Sequence, residues 1–436
     1  MKIILQEAKL KLMLNKTGSS IILLSMIFIS FSLMIIMAIS IVRSLEMESK
    51  AEMLGRLMTK SVLSEYDKNL LNDYKIMAFQ GTYKTKERVD SYIKYAFKFD
   101  KKAKYNNLHL NSNGYKMSDI KNFKNSMKYS LKSIGLEKIK YENKKIKYAK
   151  QDNEKERIIG NKVVIDTLPS KNTGSSVNII DVKNGLKDGA YIHKIKNLTI
   201  DNGMEIIFLK NYFSNHLYKA NKKETYFYNE WEYVIGGKKK DDYNFKICKA
   251  KIFLIRNAFN AIAISRDPQK MAMIKELSLA IAPGPESIIT EGIIIEAWAM
   301  AESKYDIDTL LNYGSVELIK TPAEWHTDLS TILSGKGLSD KLDKEAVKKL
   351  KIKKLKYNIK TRESEINKKG QTYEDYLLFL ILSQNEDKRI LRIMDIIQIN
   401  MKFRYYKDFN FSEYFSGINL GFNVNGKNYE FSSQYK

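Results

Sequence analysis

The chain has 436 residues with a net charge of +24, and 44% of the residues are hydrophobic. A chain of this size can bury an ample core without cross-links, and its single cysteine, Cys248, excludes an intramolecular disulfide and argues against a thiolate metal site. The excess of lysine favours polyanionic partners, although the joint abundance of Lys, Ile, Asn and Tyr is also what an AT-rich genome encodes.

The first element is an uncharged run from Ser19 to Val42, and its apolar part, residues 21–42, is interrupted only by serines. About 20 apolar residues in a helix suffice to cross a bilayer core of roughly 30 Å. A secretion signal cleaved near Ala38-Ile39-Ser40 and a buried core helix are the alternatives. The run exceeds the usual length of a signal-peptide apolar region, about 7–15 residues, and therefore predicts a transmembrane helix at 19–42.

Charge predicts the orientation of this span. The lysines before the run outnumber the single acid Glu7, and the charges after it nearly balance. The positive-inside rule then places residues 1–18 in the cytoplasm and the bulk of the chain outside. We therefore expect a single-pass cell-membrane protein that contacts lipid through residues 21–42. The lysines are Lys2, Lys9, Lys11 and Lys16.

The apolar spacing after the span predicts that the helix continues as an amphipathic stalk over 43–80. Five apolar residues recur at intervals of three and four on one face, and span and stalk would form one rod. This face must be covered either by the protein's own ectodomain or by a partner helix, and we expect a partner for at least part of it. The face, hereafter the stalk stripe, consists of Met47, Ala51, Leu54, Met58 and Val62.

The ectodomain begins with a first part at 81–334. Its pattern predicts helices at 86–98, 117–135 and 205–218. The runs "NNLHLNS", "NKVVIDTL" and "SVNIIDV" indicate short strands or loops. An aromatic and β-branched run at 225–237 ends in two glycines and predicts a strand closed by a turn.

Long helices follow. One is predicted at 243–265, and the next begins at Pro268, where the missing N–H costs nothing. After the break at Pro283-Gly284-Pro285, one or two helices extend to Gly314. A basic insertion or loop is expected at 335–370, and a helix pair with a hairpin at 371–436. Asn425-Gly426 between alternating runs is a two-residue turn signal. The predicted class is α+β and helix-rich.

Positive charge is concentrated in two regions. Residues 81–160 hold 21 Lys and Arg against nine Asp and Glu, and residues 335–370 hold 13 against five. Basic residues interleaved with tyrosines can bind nucleic acid, but outside a membrane the available polyanions are wall polymers and anionic headgroups. A solvated lysine-rich surface is the simplest interpretation, anionic wall polymers are candidate partners, and nucleic acid is not expected.

Several stretches match a known pattern in combination and in order. They include "SVLSEYDKNLLNDYKIMAF" (61–79), "NEWEYVIGGKKKDDYNFK" (229–246) and "WAMAESKYDIDTLLNYGSVELIKTPAEW" (298–325). Together they resemble a family of unknown function from Gram-positive bacteria, a long-ectodomain relative of the TadE/TadG-like membrane proteins of tight-adherence (Flp-type) pilus loci. The similarity covers about residues 18 to 405 and is weakest in the two basic regions.

The resemblance implies a membrane-anchored component of a pilus or pseudopilus system whose partners are other pilus-locus membrane proteins or pseudopilins. It implies neither an activity nor catalytic residues. Gly18 precedes the span at a point where a prepilin peptidase could cut. Pilins usually carry Glu five residues after such a cut, but Leu23 stands here. This departure argues against a polymerising pilin.

No active-site motif accompanies these features, and the four histidines show no metal-ligand spacing. The remaining chemistry is charge within apolar helices. Such residues usually form buried ion pairs that fix helix register, although two carboxylates can also serve as acid and base. Trp298 and Trp325 are expected to be core anchors. The charges predicted to be buried and structural are Glu232, Arg256, Glu296, Glu302, Asp306, Arg392 and Asp395.

The predicted function is therefore a non-enzymatic scaffold or minor pseudopilin-like subunit of a Tad/Flp-type pilus or secretion system, without cofactor or metal. A wall- or surface-associated adhesion module and an exported hydrolase without a familiar motif are the alternatives.

Overall fold

A computed structural model describes residues 2–81, 83–98, 100, 103–133, 168–172, 200–220, 223–329 and 370–435. The predicted strands "NKVVIDTL" and "SVNIIDV" and almost all of the basic segment 335–370 lie outside these residues. The α-helices, in chain order, are α1 (Lys2–Leu63), α2 (Lys68–Tyr74), α3 (Tyr83–Phe97), α4 (Ile120–Ser133), α5 (Ile200–Tyr212), α6 (Glu230–Gly236), α7 (Asp241–Arg266), α8 (Pro268–Ile281), α9 (Ser287–Leu311), α10 (Tyr373–Leu382) and α11 (Glu386–Arg404). The strands are β1 (Phe79–Gln80), β2 (Tyr105–Asn111), β3 (Ser315–Val316), β4 (Gln371–Thr372), β5 (Tyr414–Phe415), β6 (Gly417–Val424) and β7 (Lys427–Gln434).

The architecture is helix-rich α+β, as predicted, with small antiparallel sheets. The described chain divides into two compact units. The first, called the N-terminal unit, comprises Met1–Tyr66, Ala78–Tyr115 and Phe415–Tyr435. The second, called the larger unit, comprises Asp67–Met77 and Lys116–Tyr414.

Helix α1 contains the predicted span and the first part of the predicted stalk in one uninterrupted helix. Its portion from Ser20 to Leu63 is long and apolar enough to cross a membrane, and its most apolar window has a mean hydropathy of 2.7 with no residue buried in the protein. Three serines of the apolar run bond back to helix carbonyls: Ser25 Oγ donates to Ile22 O at 2.7 Å, Ser30 Oγ to Met26 O at 2.7 Å and Ser32 Oγ to Phe28 O at 2.8 Å. Such back-bonding lets hydroxyls lie within an apolar helix.

The stalk is shorter than predicted. Helix α1 ends at Leu63, and the chain does not remain helical to residue 80. The reason is local, because Asp67 begins a new helix: its Oδ1 accepts a hydrogen bond from Leu70 N at 2.9 Å and caps α2.

The N-terminal unit is built on a three-stranded antiparallel sheet of order β2-β6-β7. The hairpin predicted at Asn425-Gly426 is present, and both turn residues have positive φ, 53° and 84°. Two such residues match a type I′ turn, whose twist suits the flanking strands. Helix α3 and residues 47–63 of α1 pack on this sheet through a single apolar core.

The larger unit is mostly helical. Helices α7 and α9 pack along each other, and α8 joins them through a core that includes Ile264, Leu277 and Trp298. Pro268 occupies the first turn of α8, where Asp267 caps the N–H groups of Gln269 and Lys270, as the sequence predicts for this boundary. Trp298 and Trp325 meet edge to face in this core, with ring centroids 5.9 Å apart.

The prediction of a strand over 225–237 is wrong. The segment contains helix α6, whose residues from Glu230 to Ile235 are all buried, and Gly237 ends it with φ +61°. Helices α7, α10 and α11 surround this short helix. Aromatic and β-branched residues are enriched wherever a segment is enclosed, so their density here reflects burial on every side and not a pleated strand.

Candidate functional site

The stalk stripe is buried within the N-terminal unit. Ala51, Leu54, Met58 and Val62 are at most 8% exposed, and Met47 packs at the edge of the same core. Their cover is the protein's own β6–β7 hairpin together with α3. Of the two coverings that the sequence allows, the structure contains the protein's own fold, and the stripe therefore leaves no free surface for a partner helix in this conformation.

A glycine permits this close packing. A Cβ atom at Gly55 would lie 2.0 Å from Cε2 of Phe431, so only the bare backbone admits the ring. The opposite face of the stalk carries Leu45, Met53 and Leu57, each more than half exposed. Sequence analysis did not single out these three residues.

A neutral quartet of charges links the helices of the larger unit. Arg256 of α7 is fully buried, and its Nε donates to Asp306 Oδ2 of α9 at 2.8 Å. Its Nη1 donates to the carbonyls of Glu317 and Leu318 and to Tyr376 Oη, at 2.9–3.1 Å. The guanidinium therefore holds α7, α9, α10 and the segment after β3 together.

Lys320 and Glu302 complete the quartet. The Lys320 ammonium lies 2.5 Å from Asp306 Oδ1 and also pairs with Glu302. Glu302 Oε2 accepts hydrogen bonds from the backbone N–H of Thr327 at 2.9 Å and from its hydroxyl at 2.6 Å. Burial alone would raise the pKa of Glu302, but the His326 hydrogen bond and the Lys320 charge lower it to about 2.

The quartet has the properties of a structural ion-pair network. Its two cations and two carboxylates balance, and each is at most 6% exposed. His326 is more accessible, with Nδ1 3.4 Å from Glu302 Oε1 and its ring stacked 4.0 Å from that of Tyr305. A carboxylate can orient an imidazole for proton transfer, but His326 lines neither of the surface depressions described below.

Helix α6 carries two further buried carboxylates. Glu230 accepts hydrogen bonds from Ser214 N and Asn400 Nδ2, both at 2.7 Å. Glu232 Oε1 accepts from His216 N at 3.0 Å and Tyr373 Oη at 2.8 Å. Burial raises the pKa of each to about 7. Raised pKa values also occur at catalytic acids, but both side chains are fully buried in the helix packing.

Arg392 and Asp395 of α11 bind the same short helix. Arg392 Nη1 donates to the carbonyls of Val234 and Ile235, both at 2.7 Å, at the C-terminal end of α6, where a cation satisfies free carbonyls and the helix dipole. Asp395 accepts a hydrogen bond from Tyr233 Oη at 3.0 Å, and burial raises its pKa to about 6. These contacts position α6 within its cage of helices.

Glu296 is the exception among the seven predicted charges, because it lies at the surface. Its Oε1 accepts a hydrogen bond from Asn257 Nδ2 at 2.5 Å, which holds the carboxylate across the exposed side of α9. The isoleucines beside Glu296 in the sequence predict a buried position. Several of them are also exposed on this side of α9, so the prediction for Glu296 is wrong. Sequence analysis missed the resulting depression, hereafter the α9 groove. Its lining residues are Ile289, Gly292, Ile293, Glu296, Ala297 and Met300.

A second depression, of about 670 Å³, lies between the start of α4 and the start of α11. Its lining mixes Lys121, Lys124 and Lys128 with Asp119 and Glu386, and Lys124 pairs with Glu386. Among the residues that the structure describes, no group of three or more His, Cys, Asp and Glu side chains is placed to hold a metal ion.

Comparison with known proteins gives a match at the level of a family. DUF5702, a family of unknown function, matches residues 133–426, about two thirds of the chain. The matched region begins at the end of α4, includes α5 to α11, and ends at the turn between β6 and β7, so α1, α2, α3 and β7 lie outside it. Neither a curated protein nor a solved structure matches.

Proposed function

The chain belongs to the DUF5702 family, whose function is unknown, and we propose that it is a membrane-anchored, extracytoplasmic and non-enzymatic assembly component. In this proposal α1 crosses the cell membrane once, residues 1–18 remain in the cytoplasm, and both compact units lie outside. The protein acts by holding other membrane proteins in place and not by chemistry of its own.

The observation that carries the proposal is the continuity of α1. One end of the helix is apolar and unburied over a length that suits a bilayer, and the other end forms part of a folded core. A displacement of the anchor would therefore be transmitted directly to the folded unit. A flexible linker after the span would instead uncouple the two.

The buried charges support the non-enzymatic part. Arg256, Asp306, Lys320 and Glu302 neutralise one another, and Arg392 and Asp395 bind α6. Groups committed in this way cost stability when a partner is removed and are therefore poor candidates for binding a changing substrate.

The narrower assignment, a scaffold or minor pseudopilin-like subunit of a Tad/Flp-type pilus or secretion system, rests on the sequence motifs at 61–79, 229–246 and 298–325. Because the stalk stripe is covered, the surface that the stalk offers to neighbouring pilus-locus proteins in this proposal is its outer face, with Leu45, Met53 and Leu57.

Topology is tested with the full chain carrying a reporter after Lys436. A reporter active only outside the cytoplasm should be active, and one active only in the cytoplasm should be silent. Leu33→Arg together with Ile36→Arg should release the protein from the membrane fraction, because each arginine at the centre of a span costs about 2.5–3.5 kcal/mol. Ser32→Ala is the matched control. Strong cytoplasmic reporter activity would refute the topology.

The assembly role is tested by deleting the gene and scoring surface filaments and secreted proteins. The wild-type chain should restore both, whereas residues 43–436 behind a cleavable signal peptide should not, because the anchor is lost. Full restoration by the released form would contradict the proposal.

A further inference from the structure

Helix α9 exposes an apolar face that nothing in the described residues covers. Ile288, Ile289 and Ile293 are 72%, 69% and 54% exposed, and Met300 is 45% exposed. Single exposed apolar residues are ordinary, but a contiguous set on one helix face marks an interaction surface. The same helix buries Ile294 and Trp298 on its other side, so α9 is apolar around most of its circumference.

The α9 groove, of about 420 Å³, has the geometry of a helix-docking seam. Ile289, Gly292, Ile293 and Glu296 stand at positions i, i+3, i+4 and i+7. Four residues with this spacing enclose the hole that receives one side chain of a neighbouring helix in knobs-into-holes packing. Ile293, Glu296, Ala297 and Met300 repeat the spacing one turn later.

Gly292 opens the first hole. Among the described residues, a Cβ atom built at this position meets no other atom within 4 Å, so they leave the space above the backbone empty. Glycine inside a helix costs about 1 kcal/mol relative to alanine, and no contact within the described residues requires it here. Its effect on the surface is to let a partner side chain approach the α9 backbone closely.

The charges beside the α9 groove distinguish between its possible occupants. The N-terminal part of α9 and its cap carry Glu286, Glu291 and Glu296, and no lysine or arginine follows on the helix before Lys304. A second copy packed on the same face would bring carboxylates together, and an anionic lipid surface would repel them. A helix that combines apolar residues with Lys or Arg would instead pair with them.

We propose that the α9 groove docks an amphipathic helix of a partner protein, with an apolar side chain in the hole above Gly292 and Lys or Arg beside Glu296. The inference deepens the proposed function, since it names the chemistry of a partner for an assembly component. It rests on that function only for the partner's identity, and the test below uses neither topology nor filament assembly. Failure of either proposal can therefore be recognised separately.

The test uses the full chain in nanodiscs of zwitterionic lipid and two synthetic helical peptides. Both peptides carry leucine at the a and d positions of each heptad; one has lysine at e and g, and the other has glutamate. Fluorescence anisotropy should show at least tenfold tighter binding of the lysine peptide.

Gly292→Leu should weaken that binding more than tenfold, because the new side chain fills the hole. The variant should still fold, since its Cβ meets nothing. Gly203→Leu is the matched control, because Gly203 is also a helical glycine with no atom within 4 Å of a built Cβ. It should bind like the wild type. Glu296→Lys should reverse the preference towards the glutamate peptide.

Four results would overturn the proposal. They are no binding of either peptide, equal binding of both, unchanged binding by Gly292→Leu, and a dimer in sedimentation that Gly292→Leu dissociates. The last result would assign the groove to a second copy of the chain.

Discussion

Replacing Leu54 with alanine measures how firmly the stalk is held by the protein itself. Leu54 is 8% exposed and lies in the core formed with the β6–β7 hairpin. Leucine-to-alanine changes in a packed core cost about 2.7–5 kcal/mol, the sum of a transfer term and a cavity term. Leu54 is not completely enclosed, so we expect a value near the lower end of this range, about 3 kcal/mol.

The matched control is Leu57→Ala, on the same helix and 53% exposed. Both changes alter helix propensity by the same amount and leave the apolar run at 19–42 untouched. Exposed substitutions usually alter the free energy of unfolding by less than about 0.5 kcal/mol. The difference between the two variants, about 2.5 kcal/mol, therefore isolates the packing of the stalk on the hairpin.

The assay must report on the N-terminal unit, and the three tryptophans, at 231, 298 and 325, all belong to the larger unit. Hydrogen exchange of the β7 amides in the full chain reports directly on the hairpin. A loss of 3 kcal/mol accelerates exchange through unfolding roughly a hundredfold, since about 1.4 kcal/mol is a factor of ten. Equal exchange in the two variants would show that the stripe is not held by the hairpin.

Three further changes concern the larger unit and are measured by urea unfolding followed through tryptophan fluorescence. Arg392→Met should lower the free energy of unfolding by about 3 kcal/mol, because two buried carbonyls at the end of α6 lose their hydrogen-bond donor. The control Arg266→Met, at an exposed position, should lower it by under about 0.5 kcal/mol. Equal losses in the two variants would contradict the capping role of Arg392. Glu302→Gln should lower the free energy of unfolding by about 3 kcal/mol at neutral pH, and this loss should shrink as the pH falls from 4.5 towards 2. The stabilisation from a lowered pKa is complete above the pKa of the unfolded chain and disappears as the pH falls through the pKa of the folded protein. A loss of stability that does not depend on pH would refute this prediction. The wild-type protein should lose stability as the pH rises from 4.5 to 7, and Glu232→Gln should remove part of that loss. The reason is that the pKa of Glu232 is raised, so the folded protein retains a proton that the unfolded chain releases. The same pH profile of stability in the variant and the wild type would contradict this prediction.

Local rules account for the elements that the sequence predicts well. The Asn425-Gly426 turn and the helix start at Pro268 depend on neighbouring residues alone, so spacing and residue type suffice to locate them. The periodicity of the stalk stripe identifies a buried face in the same way. What covers that face depends on strands that begin only at Gly417, and no local pattern carries that information.

Enclosure misleads pattern-based prediction in both directions. The sequence of helix α6 resembles that of a strand because the surrounding helices bury every side of it. The sequence predicts a buried Glu296 because isoleucines lie near it, but several of those isoleucines are themselves exposed. Lys320 is one lysine among many in this chain, and nothing in its sequence context marks it as the buried partner of Glu302. The sequence likewise gives no sign of the role of Gly292, because that role depends on the space that the described residues leave empty above the helix.

The pairing of α1 with the β6–β7 hairpin also orders the biogenesis of the protein. A ribosome makes the stalk stripe long before the hairpin that covers it, so the N-terminal unit cannot close until residues 417–434 have been synthesised. A chain truncated before Gly417 lacks the hairpin part of this cover, so Leu54 and Met58 become more exposed to solvent and to chaperones. Synthesis of residues 417–434 thus sets the earliest point at which the hairpin can cover the stalk stripe.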